Sequence, residues 1–105
     1  MSDDAKTPAE EPEVIEFTVP EHPAYSDAET FLTELRSLPE GATVALNAEG
    51  VAEMTASYVY AVVSLSKTLT AAGGKVLVDR PTAAFIDAFS DLNMFQDLMK
   101  MEFRQ

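Results

Sequence analysis

Three short β-like runs, Val14 to Val19, Thr43 to Ala48 and Lys75 to Asp79, are separated by amphipathic helical stretches, and this alternation narrows the fold first. Strands that alternate with helices pair mainly in parallel through right-handed crossovers, so an open α/β sheet is expected. In the first run Ile15, Phe17 and Val19 alternate with polar positions, as a half-buried strand requires. Pro20 and Pro23 stop it, because neither can donate a ladder hydrogen bond. The second run ends at the polar Asn47, and the third is apolar through its middle, as in a central strand.

Ser26-Asp27-Ala28-Glu29 has the Ser-x-x-Glu spacing of a capping box, so a helix is predicted from Ser26 to Leu38, with Pro39-Glu40-Gly41 ending it. Ala28, Phe31, Leu32, Leu35 and Leu38 form its apolar stripe. A second helix is predicted from Ser57 to Ala72, closed by Gly73 in the left-handed conformation. Projected at helical spacing, Val59, Val62, Val63, Leu65 and Leu69 share its apolar face, while Ser57, Tyr60, Ser64 and Lys67 lie opposite. Pro81 suits the first turn of a third helix, with Ala84, Phe85, Ala88, Phe89 and Leu92 inward. Asn93 is placed to cap a last short helix with Phe95, Leu98 and Met99 inward, and Met101-Glu102-Phe103 finishes the domain as an edge segment. The expected architecture is a sheet of about four strands, mostly parallel, with about four helices packed on it.

A chain of 105 residues supports one compact domain with one core. Residues 1–13 carry Asp3, Asp4, Glu10, Glu11 and Glu13 against Lys6, with Pro8 and Pro12, and read as a disordered acidic tail before a single domain over 14–105. Apolar residues make up 47% of the chain, yet the longest nearly unbroken apolar run, Tyr58 to Val63, is too short to span a bilayer. There is no cysteine for a disulfide or thiolate site, and no secretion signal opens the sequence, so a cytoplasmic location is expected. The formal net charge of −11 argues against nucleic acid or anionic lipid as partner and favours a monomer.

Enzymatic constellations are sparse. His22, the one histidine, sits in the turn Glu21-His22-Pro23 without a carboxylate pair to orient it. Asp87 and Asp91, one helical turn apart, read as a solvated face, and Gly73-Gly74 as a helix stop, so neither metal nor cofactor is expected. What stands out is Met54-Thr55-Ala56-Ser57, which places hydroxyls at a helix N-terminus. Such a hydroxyl caps the helix, or it receives a phosphate that the helix end accommodates.

The order of these segments, with a strand at Val44 to Ala48, a Gly50-Val51 turn, the Met54 to Ser57 stretch, the double glycine and the strand Lys75 to Val78, resembles the STAS domain. It is most similar to the small single-domain anti-sigma-factor antagonists of bacteria. In that alignment Thr55 stands where the family usually has Asp, Ala56 where it has Ser or Thr, Ser57 on the residue that partner kinases phosphorylate, and Tyr58 on a usual Gly. Ala28-Glu29-Thr30 and Pro81 also match, while Pro23-Ala24-Tyr25 replaces a loop Asp and Thr82 a serine. The resemblance implies a non-enzymatic partner-switching module, with Ser57 as phosphorylation candidate and Thr55 as a second one. Thr55, Ser57, Tyr58, Tyr60, Ser64 and Lys67 are the implied partner-binding residues. The implied partners are an anti-sigma factor that is a serine kinase of the GHKL type and a serine phosphatase. The alternative within the family is an unmodified assembly subunit of a lipid-transport ABC system, or a protein linked to chemotaxis or another signalling kinase.

Overall fold

The computed structural model describes residues 14–104; the acidic segment 1–13, expected to be disordered, lies outside them. The elements are β1 (Val14–Thr18), α1 (Tyr25–Leu35), β2 (Thr43–Asn47), α2 (Ala56–Ala71), β3 (Lys75–Asp79), α3 (Ala83–Asp91), α4 (Phe95–Met99) and β4 (Glu102–Arg104). All four strands are parallel, in the order β1-β2-β3-β4, which makes this an α/β fold of the expected size. Strand order repeats chain order, so right-handed crossovers carry every connecting helix to one face of the sheet. There α2 lies in the middle, touching α1, α3 and β3.

Register decides which side chains meet these helices. Ile15, Val44 and Val76 are level with one another, as are Phe17, Leu46, Val78 and Phe103. Apart from the exposed Phe103, these rows join Phe31 of α1, Tyr58, Val59 and Val62 of α2, Phe85 and Phe89 of α3 and Leu98 of α4 in one core. Phe31 stands edge-on to Phe17 at 4.8 Å between ring centroids and 5.1 Å from Tyr58. Each buried side chain of this size contributes about 1.5–3 kcal/mol by leaving water. The alternate residues form the other face, where Ala45 and Leu77 are buried and charged side chains cross the strands. Lys75 meets Glu102 at 2.9 Å, Arg104 clamps Asp79 at 2.6 and 2.8 Å, and the same guanidinium lies 4.0 Å from Glu16.

The helix ends are set by local chemistry. Gly73, at φ 92°, follows the α2 C-cap, and the Gly73 and Gly74 N–H groups donate to Thr70 and Leu69 carbonyls at 3.1 and 2.7 Å. Gly74 has a different reason to be glycine: a Cβ there would sit 2.0 Å from the Ala42 carbonyl oxygen, where α2 hands over to β3 beside β2. Asn93, at φ 60°, ends α3 in the same way, with the Asn93 and Met94 N–H groups donating to Ser90 and Phe89. It therefore does not cap α4, whose N-cap is Met94. Only Leu98 of α4 is buried; Phe95 and Met99, expected inward, are 42% and 47% exposed.

Two other starts also differ from expectation. α1 begins at Tyr25, two residues earlier than the Ser26 box implies, because the Asp27 carboxylate accepts the Ala24 N–H at 2.6 Å. α3 begins at Ala83, with Thr82 as its cap and Pro81 just outside. The Thr82 hydroxyl accepts the Phe85 N–H at 3.2 Å and donates to the Val51 carbonyl at 2.7 Å, tying α3 to the loop before α2. That second bond crosses between distant segments and leaves no local trace in the sequence.

Candidate functional site

The candidate site is the start of α2, at the end of the sheet where the parallel strands finish. Two loops meet there. The Glu21 carbonyl accepts the Ala52 and Glu53 N–H groups at 2.9 and 3.3 Å, joining the β1–α1 loop to the β2–α2 loop. His22 Nδ1 lies 2.9 Å from Glu53 Oε2 across the same junction, with both side chains well exposed. Asn47 Oδ1 accepts the Glu49 N–H at 3.0 Å, turning the chain out of β2. On the other flank Arg80, in the left-handed region at φ 47°, places its guanidinium 3.4 Å from Glu49. Both acidic neighbours of the helix start, Glu49 and Glu53, thus face a basic group.

Within this frame the hydroxyls divide their duties. Thr55 is the N-cap, in extended conformation, and its hydroxyl accepts the Tyr58 N–H at 3.2 Å. The helix begins one residue before the predicted Ser57, at Ala56, and capping belongs to Thr55. Ser57 is the second helical residue, half-buried, and among the described residues its hydroxyl has no hydrogen-bond partner. The first N–H groups of a helix lack intrahelical acceptors, so the Ala56 and Ser57 amides make this end weakly electropositive.

Further along α2, Tyr60, Ser64 and Lys67 are exposed, Tyr60 by 50%. They follow Ser57 at three- and four-residue spacing on one stripe of the helix. Tyr58 does not belong to that surface. It is fully buried, packed against Phe31, and among the described residues its hydroxyl has no hydrogen-bond partner. The position is part of the inward stripe shared with Val62, Leu65 and Leu69, a spacing already visible in the chain.

Thr82 was noted in the sequence only as a replacement for the family's serine, and Arg80 and the Glu21 carbonyl not at all, yet the three hold the loop that presents Ser57. Only the capping propensity of threonine hinted at the first. Among the described residues no group of three His, Asp or Glu side chains converges as metal ligands, and no helix is long and apolar enough to cross a membrane. No model of a known protein family matches the chain, and no curated protein matches it in sequence.

Proposed function

We propose that this protein is a regulatory binding module of the STAS type, an anti-sigma-factor-antagonist-like partner switch controlled by phosphorylation of Ser57. The observation that carries the reading is the division of labour at α2: Thr55 caps the helix, which leaves the Ser57 hydroxyl unengaged at the helix end above Tyr60, Ser64 and Lys67. A partner seated on that stripe covers Ser57. A phosphate there adds about −1.5 to −2 charge, which the helix end of this domain can accommodate. The partner interface must instead desolvate that charge, and the cost exceeds what a small transient contact supplies. Modification therefore releases the partner while the domain stays folded. No carboxylate or imidazole hydrogen-bonds the Ser57 hydroxyl among the described residues, so the serine lacks a base that would make it a nucleophile. The matching partner is a serine kinase that is itself the anti-sigma factor, with a phosphatase to reset the switch.

The test is capture of partners from the native cytoplasm with wild type, Ser57→Ala and Ser57→Asp, followed by kinase incubation and mass spectrometry. Ser57→Asp is expected to bind at least about tenfold more weakly, a loss of about 1.4 kcal/mol. Phosphate is expected on Ser57 and to be absent from Ser57→Ala. Equal binding by all three, or recovery of a transporter ATPase in place of a kinase, would overturn the reading.

A further inference from the structure

Among the described residues, three of the six exposed large apolar side chains, Phe95, Met99 and Phe103, come from one short stretch of chain. It consists of α4 and the edge strand β4, which among the described residues has a neighbour on only one side, β3. Phe95 and Met99 are one turn apart on α4, the helix that leads into β4. Phe103 is level with the core row of Phe17, Leu46 and Val78, so it points to the helix side, yet it is 38% exposed. The flanking residues of β4, Glu102 and Arg104, point to the opposite face, with side chains 58% and 42% exposed.

The order Glu-Phe-Arg is complementary to itself when reversed. We propose that β4 pairs antiparallel with the β4 of a second copy of this chain, centred on Phe103, to form a symmetric dimer with a continuous sheet. In that register Phe103 faces Phe103 of the second copy, and Glu102 faces Arg104 twice. Directly opposed residues of an antiparallel pair have Cβ atoms about 4.5–5.5 Å apart, within reach of ion pairing and aromatic contact. Arg104 holds Asp79 through Nε and one terminal nitrogen, the latter also 4.0 Å from Glu16, which leaves its other terminal nitrogen without a partner among the described residues and able to donate to the second copy's Glu102. Charge then alternates along the row as Asp79, Arg104, Glu102, while Lys75 steadies each Glu102 from behind at 2.9 Å. The two-fold axis lies perpendicular to the sheet, which keeps the helices of both copies, with the exposed Phe95 and Met99 of each, on one side.

The other edge of the sheet fails the same comparison. Reversing β1 on itself centres on Glu16, which would put two carboxylates face to face. The net charge of −11, which favoured a monomer, acts at long range and is screened beyond about 8 Å at physiological salt. The proposal concerns a surface distinct from Ser57 and stands whether or not that serine is modified.

Sedimentation equilibrium of the full chain, up to about 1 mM, tests it. Wild type is expected to dimerise with concentration. Glu102→Arg alone and Arg104→Glu alone place like charges opposite each other, so each is expected to dimerise at least about tenfold more weakly. An equimolar mixture of the two restores both ion pairs and is expected to form a mixed dimer. A wild type monomeric throughout, single variants that associate as wild type does, or a mixture that stays monomeric would each overturn the proposal. Should circular dichroism show either variant unfolded, Phe103→Cys supplies the answer, since the chain has no other cysteine. Air oxidation is expected to link that variant into disulfide dimers much faster than the exposed control Ser37→Cys, and equal rates would overturn the proposal.

Discussion

Tyr58 carries a polar atom into a place that offers it nothing. Its hydroxyl is buried without a partner among the described residues, and the phenol is held well above its ordinary pKa, first by burial and then by the carboxylates of Asp27 and Glu34. Leaving a buried donor unsatisfied costs about 1–3 kcal/mol. Tyr58→Phe keeps the ring against Phe31 and removes that cost, so urea unfolding is expected to show it more stable by about 1 kcal/mol at pH 7. The gap should widen in alkali. Above the unfolded tyrosine pKa of about 10, the unfolded wild-type chain releases a proton that folded Tyr58 retains, so wild-type stability falls as pH rises. Phenylalanine has no such slope, and urea midpoints of both proteins from about pH 8 to pH 11 measure the difference. The sequence contained the evidence for burial in the spacing of Tyr58 from Val62, Leu65 and Leu69. The adjacent Ser57 and the polar tip of tyrosine pointed the other way, and only the packing of α1 on α2 decides between them. The choice between Thr55 and Ser57 as cap was equally open, because helix starts are readable from sequence only to a residue or two.

The strands and the α2–β3 handover were the legible elements. Alternation at Ile15, Phe17 and Val19, and the glycine pair after α2, follow from backbone requirements that a sequence states directly. The helix starts were less so, because Asp27, Thr82 and Asn93 each have more than one way to satisfy nearby backbone groups, and distant contacts choose among them. The pairing of β3 with β4 was invisible locally, since Asp79 and Arg104 are far apart in the chain. Arg104 holds the Asp79 carboxyl below the ordinary carboxylate range through their hydrogen bonds, which outweigh the opposing effect of burial. A depressed folded-state pKa gives stability that is complete above the unfolded value, about 3.9, and disappears as pH falls through the folded one. Asp79→Asn is therefore expected to be less stable than wild type at pH 7, with the difference shrinking as pH drops below about 4. Thermal unfolding of both proteins between about pH 2 and pH 7 checks this, and a difference independent of pH would remove the carboxylate from the explanation.

Across the whole molecule the charges mostly repel one another. With 18 acidic residues against 7 basic ones, compaction brings like charges together, and the opposing ion pairs lie mainly at the strand ends and across the open sheet face. Raising NaCl from about 10 to about 150 mM shortens the screening length from about 30 to about 8 Å. The urea midpoint is expected to rise over that interval, and a fall would mean that the cross-strand pairs outweigh the repulsion. The sheet order has a consequence of another kind. Each of β2, β3 and β4 pairs with the strand that precedes it in the chain, so after β1 no described strand waits for a later one to supply its first neighbour. As the polypeptide leaves the ribosome, each strand after β1 finds its template already made, and the domain can be assembled in the order in which it is synthesised.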